Sequence, residues 1–480
     1  MNGSVELPLV TAADAAAALR DGSTTSRRLT LDAIAAADRL DGTLGIFLDR
    51  YVSEAIEAAD AADRRFAAGS PLSPLDGIPI GVKDNTSTTE GPTTAQSLVF
   101  DPAGLSGDAT VVARLRAAGA IVMGKTTTME FALGVPDPSK PFPVPRNPWD
   151  PERWASGSSS GTGSGVAAGA FFAGIGSDTA GSIRGPAAAC GVTGLKPTFG
   201  RVPRTGVIPA AYSLDHVGPL ARSAEDVALL LSIMEGPDGE DPTVTEDAAL
   251  DYAAALSGHL EGVRIGFDGL ARFGGTHEDA AVPGSFAAAL AVLEQAGAEL
   301  VPIELPLYAE LTAVSSVIGG SEAAAYHDPD VRSKFDDYFA TTRLTLLTGS
   351  FFTAADYVQA QRVRRVGQKA LSRVFEGVDL VVTPTIGMAA PRLDGMAEFM
   401  SEQFSTVYTP YWNAVGNPAL SVPMAPNAEG LPLGLQIAGR PHEDDVVLRA
   451  GDAFQRRSSY HRLIPPLVTR AVVDTEEVAR

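Results

Sequence analysis

Apolar positions at near-helical spacing, Leu31, Ile34, Ala35 and Leu40, run through an alanine-dense opening section and predict helices over about residues 1–70. Gly22-Ser23-Thr24-Thr25 breaks that section with a turn and an N-cap, and Gly69-Ser70-Pro71 ends it. The apolar runs then shorten. Ile78-Pro79-Ile80-Gly81-Val82 predicts a short strand that delivers Lys83, Thr110 to Ala118 a helix, and Ala120 to Met123 a buried strand. Seven prolines between Pro136 and Pro151 predict an extended surface loop, and the small residues of Thr162 to Phe172 a tightly packed helix. Strand-like runs recur at Val263–Phe267, Leu300-Val301, Val378–Thr383, Leu420–Val422 and Leu435–Ile437, with helical stretches between them at Ser285–Gln295 and Ala354–Phe375. This alternation indicates an α/β layered architecture.

Composition narrows the function classes. With 45% hydrophobic and 20% charged residues, the 480-residue chain has material for a large core. A net charge of −21 disfavours phosphate backbones and anionic lipid surfaces as partners, so neither nucleic acid nor membrane binding is expected. The apolar stretch Val166–Gly176 is too short to span a bilayer, which takes about 20 residues. Cys190 is the one cysteine, which excludes an intrachain disulfide, and Met1–Glu6 shows no signal-peptide pattern; a cytoplasmic location is expected.

Candidate chemistry concentrates in a Gly/Ser tract, Ser156 to Gly165, in Ser177-Asp178-Thr179-Ala180-Gly181-Ser182-Ile183-Arg184, and in Gly81-Val82-Lys83-Asp84-Asn85. Ser158 stands 75 residues after Lys83, and Ser182 stands 24 after Ser158. With Gly119–Thr126, Gly191–Val202, Ser213–Leu220 and Gly434–Pro441, these segments resemble the amidase signature family, whose members cut amide bonds with a Ser-Ser-Lys triad at this spacing. The resemblance runs from about Thr11 to Arg457 and is weakest over about 240–350. It implies one domain over 1–480, with a mixed twisted sheet covered by helices on both faces.

The resemblance implies a division of labour. Ser182 is the nucleophile, Ser158 the bridging serine after a cis Gly157-Ser158 bond, and Lys83 the base, which works only as a neutral amine and so must be buried. The backbone of Thr179, Ala180, Gly181 and Ser182 forms the oxyanion hole, with Ala180 where the family has glycine. Phe131, Ala132, Leu133, Ile386, Tyr408 and Trp412 line the pocket by the same analogy. Gly157, Ser159, Asp178 and Arg184 support the site; the last two either brace the loop as a charged pair or cap nearby elements. The expected substrate is a small neutral or aromatic amide, with ester or carbamate turnover by the same acyl chemistry. No metal or other cofactor is called for, and the assembly expected is a monomer or homodimer.

Other readings are weaker on the residues. Gly157–Gly161 also fits a G-x-S-x-G elbow centred on Ser159, but the preceding Pro148–Arg153 looks loop-like and no histidine has a supporting motif. Gly119–Thr126 fits a P-loop pattern, yet its loop positions are apolar, which makes Lys125 structural. Cys190 and His216 read as core residues. The glutamine-hydrolysing subunit of tRNA-dependent amidotransferases shares the triad pattern, but resembles this chain less at the aspartate expected before Thr409-Pro410-Tyr411-Trp412-Asn413; Thr406 stands there and Glu402 is out of register.

Overall fold

The computed structural model of the protein describes residues 11–105, 107–246 and 249–469; the segment Met1–Glu6 read for targeting signals lies outside them. The opening section is helical over Ala12–Asp21, Ser26–Leu44 and Val52–Ala67. Gly22 ends the first helix in the left-handed region, and the Thr25 hydroxyl accepts from the Arg28 N–H to cap the second. The section is not wholly helical. Strand β1 (Phe47–Arg50) interrupts it and pairs antiparallel with β3 (Ile121–Thr126), where Gly124 lets the Asp49 carbonyl approach closer than any Cβ would allow.

Along the chain follow β2 (Pro79–Lys83), β4 (Arg146–Asn147), β5 (Asp150–Trp154), β6 (Ala173–Asp178), β7 (Thr193–Lys196), β8 (His216–Ala221), β9 (Arg264–Phe267), β10 (Glu299–Pro302), β11 (Leu380–Pro384), β12 (Ala419–Met424) and β13 (Leu433–Gly439). Eleven of the thirteen strands among the described residues form one mixed sheet in the order β1-β3-β2-β6-β8-β7-β12-β13-β11-β9-β10. Every residue of β2, β3, β6, β8, β12 and β13 is buried, as expected of strands covered by helices on both faces. The fold is therefore α/β, as the alternation of elements indicated, with the mixed sheet flanked by helices that the resemblance implied.

Two further expectations need correction. The proline-rich segment is not all loop: β4 and β5 pair antiparallel as a ribbon separate from the main sheet. A two-stranded ribbon leaves edges free, so Pro151 needs no ladder partner. The ribbon places a strand before Ser158, where the sequence looks loop-like, and so supplies the strand that an elbow centred on Ser159 would follow. The small-residue helix spans Ser160–Ala168 rather than Thr162–Phe172, because Gly169 ends it in the left-handed region and β6 begins at Ala173.

β3, β2 and β6 run parallel side by side. Their carboxyl ends therefore share one edge, which sets Lys83 at the end of β2 beside Ser177 and Asp178 at the end of β6.

Candidate active site

Lys83 is fully buried, and its Nζ lies 2.7 Å from Ser158 Oγ, 2.8 Å from Ser177 Oγ and 3.4 Å from the Ser177 carbonyl oxygen. Burial lowers its pKa to about 7, against the opposing pull of the Asp178 and Asp215 carboxylates. The Asn85 amide donates to Ser177 Oγ at 3.0 Å, fixing the hydroxyl that faces the lysine. Ser158 follows a cis Gly157-Ser158 bond. A Cβ at Gly157 would come 2.4 Å from the Trp154 ring, so glycine is what fits there. Ser159 is buried; its N–H donates to the Ser182 carbonyl at 3.1 Å and its hydroxyl to the Ser177 carbonyl at 3.2 Å, tying the two serine loops together.

Ser182 sits on a loop held by an ion pair. Asp178 and Arg184 are both fully buried, with Arg184 Nη2 2.8 Å from Asp178 Oδ1. The same carboxylate accepts from the N–H groups of Gly181, Ile183 and Arg184 and from the Asn413 amide. Burial alone would raise its pKa, but the Arg184 guanidinium and these donors outweigh burial and hold it well below the usual carboxylate range. The guanidinium also donates to the Thr409 carbonyl, Gln436 Oε1 and Asn413 Oδ1 at 2.6 to 3.0 Å. On the other flank the Thr179 hydroxyl donates to Asp215 at 2.6 Å, and burial raises the pKa of that carboxyl.

The four amides read as an oxyanion hole are not equivalent. The Gly181 N–H donates to Asp178 Oδ1 at 2.8 Å, so it is taken by the brace. Those of Thr179, Ala180 and Ser182 have no bonded acceptor among the described residues. Gly181 has φ +125°, and a Cβ there would stand 2.0 Å from Thr409 Oγ1. That position admits only glycine, whereas the neighbouring Ala180 is accommodated.

Ser158, Ser182 and the 179–181 backbone line a cleft of about 390 Å³. Of the six residues read as pocket, Ala132, Leu133 and Ile386 line it. Phe131, Tyr408 and Trp412 do not. Phe131 packs its ring 4.3 Å from His327, Tyr408 hydrogen-bonds Glu278, and Trp412 is fully enclosed. These three rings bury their area in the core instead. The walls that sequence reasoning missed come from the helices Tyr308–Val331, through Ser315, Ser316, Gly319 and Gly320, and Ala340–Phe351, through Leu344, Thr345, Thr348 and Gly349, with Phe399, Met400 and Phe404 beyond them. No described residue lining the cleft is charged.

Other candidates fall elsewhere. Lys125 donates to the Thr93 hydroxyl and pairs with Asp84, a structural position. Cys190 is buried and burial pushes its thiol up. The His216 ring meets the Leu214 and Asp178 carbonyls rather than a serine. His277, Glu398 and Glu402 are the described residues whose potential metal-ligand atoms all lie within 4.8 Å of one another; none lines the cleft.

Known proteins resemble this chain in sequence and in fold. The sequence matches the Amidase family over residues 28–448. It is 39% identical to the putative amidase AmiD of Mycobacterium tuberculosis over 94% of each chain. It is 37% identical to a glutamyl-tRNA(Gln) amidotransferase subunit of Roseiflexus castenholzii, over 95% of this chain and 97% of that one. The fold is similar to that of the peptide amidase from Stenotrophomonas maltophilia, with a TM-score of 0.78, 28% identity, and coverage of 93% and 96%. The chain belongs to the amidase signature family, and its activity is amide hydrolysis. No described helix is long and apolar enough to cross a membrane.

Proposed function

We propose that the protein hydrolyses the carbon–nitrogen bond of a small neutral or aromatic amide through an acyl-enzyme on Ser182. The observation that carries this reading is the 2.7 Å contact between the buried Lys83 amine and Ser158, both beside the cleft that Ser182 lines. Neutral Lys83 takes the proton of Ser158 Oγ while Ser158 takes that of Ser182 Oγ, which bonds to the amide carbon. The oxyanion accepts from backbone N–H groups of Thr179, Ala180 or Ser182. The relay reverses to protonate the departing nitrogen, the C–N bond breaks, and water deacylates Ser182 by the same path. Esters and carbamates share the acyl step and are expected to turn over too. No step requires a metal or other cofactor. One sheet containing strands from Phe47 to Gly439 supports the reading of a single domain, acting as a monomer or homodimer in the cytoplasm.

A second reading, glutamine hydrolysis within a tRNA-dependent amidotransferase, is favoured by the 37% identity to the Roseiflexus castenholzii protein. Against it stands the uncharged cleft, since glutamine brings an ammonium and a carboxylate that need partners. Thr406, where that reading needs an aspartate, turns its hydroxyl to the Gln403 carbonyl. An α/β-hydrolase reading with Ser159 as nucleophile conflicts with the burial of that side chain.

The test is labelling with a fluorophosphonate and mapping of the modified peptide, alongside turnover of amides and of glutamine by the purified protein. Modification of Ser182 with turnover of neutral amides is expected. Modification at Ser159 or Cys190, or ammonia release from glutamine alone, would overturn the proposal.

A further inference from the structure

The cleft is graded. At its inner end Trp154 is 3% exposed and lies against Gly157, next to Ser158. The Trp154 ring meets that of Phe399 edge-on at 6.0 Å, and Phe399 meets Phe404 edge-on at 6.2 Å. Exposure rises along this series, from 6% at Phe399 to 41% at Phe404, and the lining residue Leu344 is 64% exposed. An unbroken aromatic track thus leads from the serine loop to the surface. Phe404 and Leu344 leave the open end of the cleft apolar. The chain supplies no charged side chain along the way among the described residues.

The helix Tyr308–Val331 contributes a wall of small residues instead. Gly320 and Gly349 draw that helix against Ala340–Phe351: a Cβ at Gly349 would fall 2.0 Å from the Gly320 carbonyl. Gly319 differs. A Cβ there would meet only Leu214 Cδ1, at 3.6 Å, so no packing requirement explains glycine at this position. Its side-chain space belongs to the cleft, which a larger residue would fill.

We propose that the substrate is a neutral amide bearing an extended apolar group, which lies along Trp154, Phe399 and Phe404 and leaves past Leu344, and that Gly319 keeps this slot open. The inference rests on the function proposed above and specifies its substrate class. The apolar group belongs either to the acyl part or to the amine, and two series separate them. One is the p-nitroanilides from acetyl to octanoyl; the other is the N-alkylacetamides from methyl to octyl. In one series kcat/KM should climb by up to about fourfold per methylene, the value of a fully buried CH2, and flatten as the chain reaches the open end.

Gly319→Leu, which fills the slot, and Phe404→Ala, which removes the outer wall, should each lower the octyl-to-shortest ratio in that series at least tenfold. The ratio is read within one protein, so a general loss of activity cancels from it. A flat or falling dependence in both series, or a ratio unchanged in both variants, would overturn the inference. Should Ser182 label and short amides turn over without a chain-length preference, this inference alone fails. Should nothing label and no amide turn over, the proposed function fails with it.

Discussion

Replacing Lys83 by methionine should leave a protein that is inactive yet more stable at neutral pH. In the unfolded chain the amine holds its proton up to about pH 10.5, and in the folded protein up to about 7. Below 7 both states are protonated and the folded state bears the whole penalty of a buried charge. Between 7 and 10.5 only the unfolded chain is protonated, so stability rises with pH; above 10.5 both are neutral and the penalty is gone. The difference corresponds to about 5 kcal/mol, at about 1.4 kcal/mol per tenfold change in the protonation equilibrium. Methionine removes that penalty but leaves the Ser158 hydroxyl without the amine, while Ser177 keeps the Asn85 donor, a loss of about 1–3 kcal/mol. The variant should therefore gain about 2–4 kcal/mol at pH 6.5 and show no gain near pH 10. Urea unfolding of both proteins at the two pH values, compared at equal m, measures this. In parallel, kcat/KM of the unaltered enzyme should rise through a limb near pH 7, and amide turnover of the variant should fall at least about 100-fold. A stability difference that does not change with pH, or a variant less stable at pH 6.5, would refute the buried-amine account. So would near-normal amide turnover.

Two further outcomes follow from the loop brace. Arg184→Met leaves the buried Asp178 carboxylate without its counter-charge and should destabilise by about 3–5 kcal/mol in urea unfolding at pH 7. Because Asp178 is held well below the usual carboxylate range, the pair stabilises the fold above that range, and the difference should shrink as pH falls through it. Gly181→Ala places a methyl group 2.0 Å from Thr409 Oγ1 in a backbone region that L residues avoid; kcat should drop at least about tenfold while the circular dichroism spectrum is retained.

What could be read in the sequence depended on how local each signal was. Lys83 and the two serines lie on short segments whose spacing carries the resemblance, and the parallel run of β2 and β6 brings the first of them together. β1 escaped because four residues at a sheet edge, set among alanine-rich helices, carry too little periodicity to outweigh their surroundings. Phe131, Tyr408 and Trp412 suggest a pocket because they are aromatic, but ring size signals burial without saying against what. The cleft walls at Ser315, Ser316, Gly319, Leu344 and Thr348 lie mostly in the segment of weakest resemblance, where only long-range helix packing decides which face is turned to the serines. Gly319-Gly320 and Gly349, glycines inside helices, were the available clue. Gln436 stands in a segment that carries the resemblance, and Thr409 and Asn413 in the segment compared with the amidotransferase subunit, but their bracing of Arg184 becomes visible only when β13 is placed beside β12 and the helix Pro410–Val415 against the loop.

The bonds from Arg184 to Thr409, Asn413 and Gln436 bear on how the enzyme is born. Every group that would carry out the reaction has been synthesised once Ser182 leaves the ribosome. The outer acceptors of Arg184 come roughly 230–250 residues later, which at about 5–20 residues per second is a delay of about 12–50 s. Throughout that interval a nascent chain holds Ser182 on a loop braced by Asp178 alone, with Arg184 lacking its outer partners. Hydrolytic competence is thereby tied to completion of nearly the whole polypeptide, and a product of premature termination upstream of Thr409 should be catalytically silent even with both serines and the lysine in place.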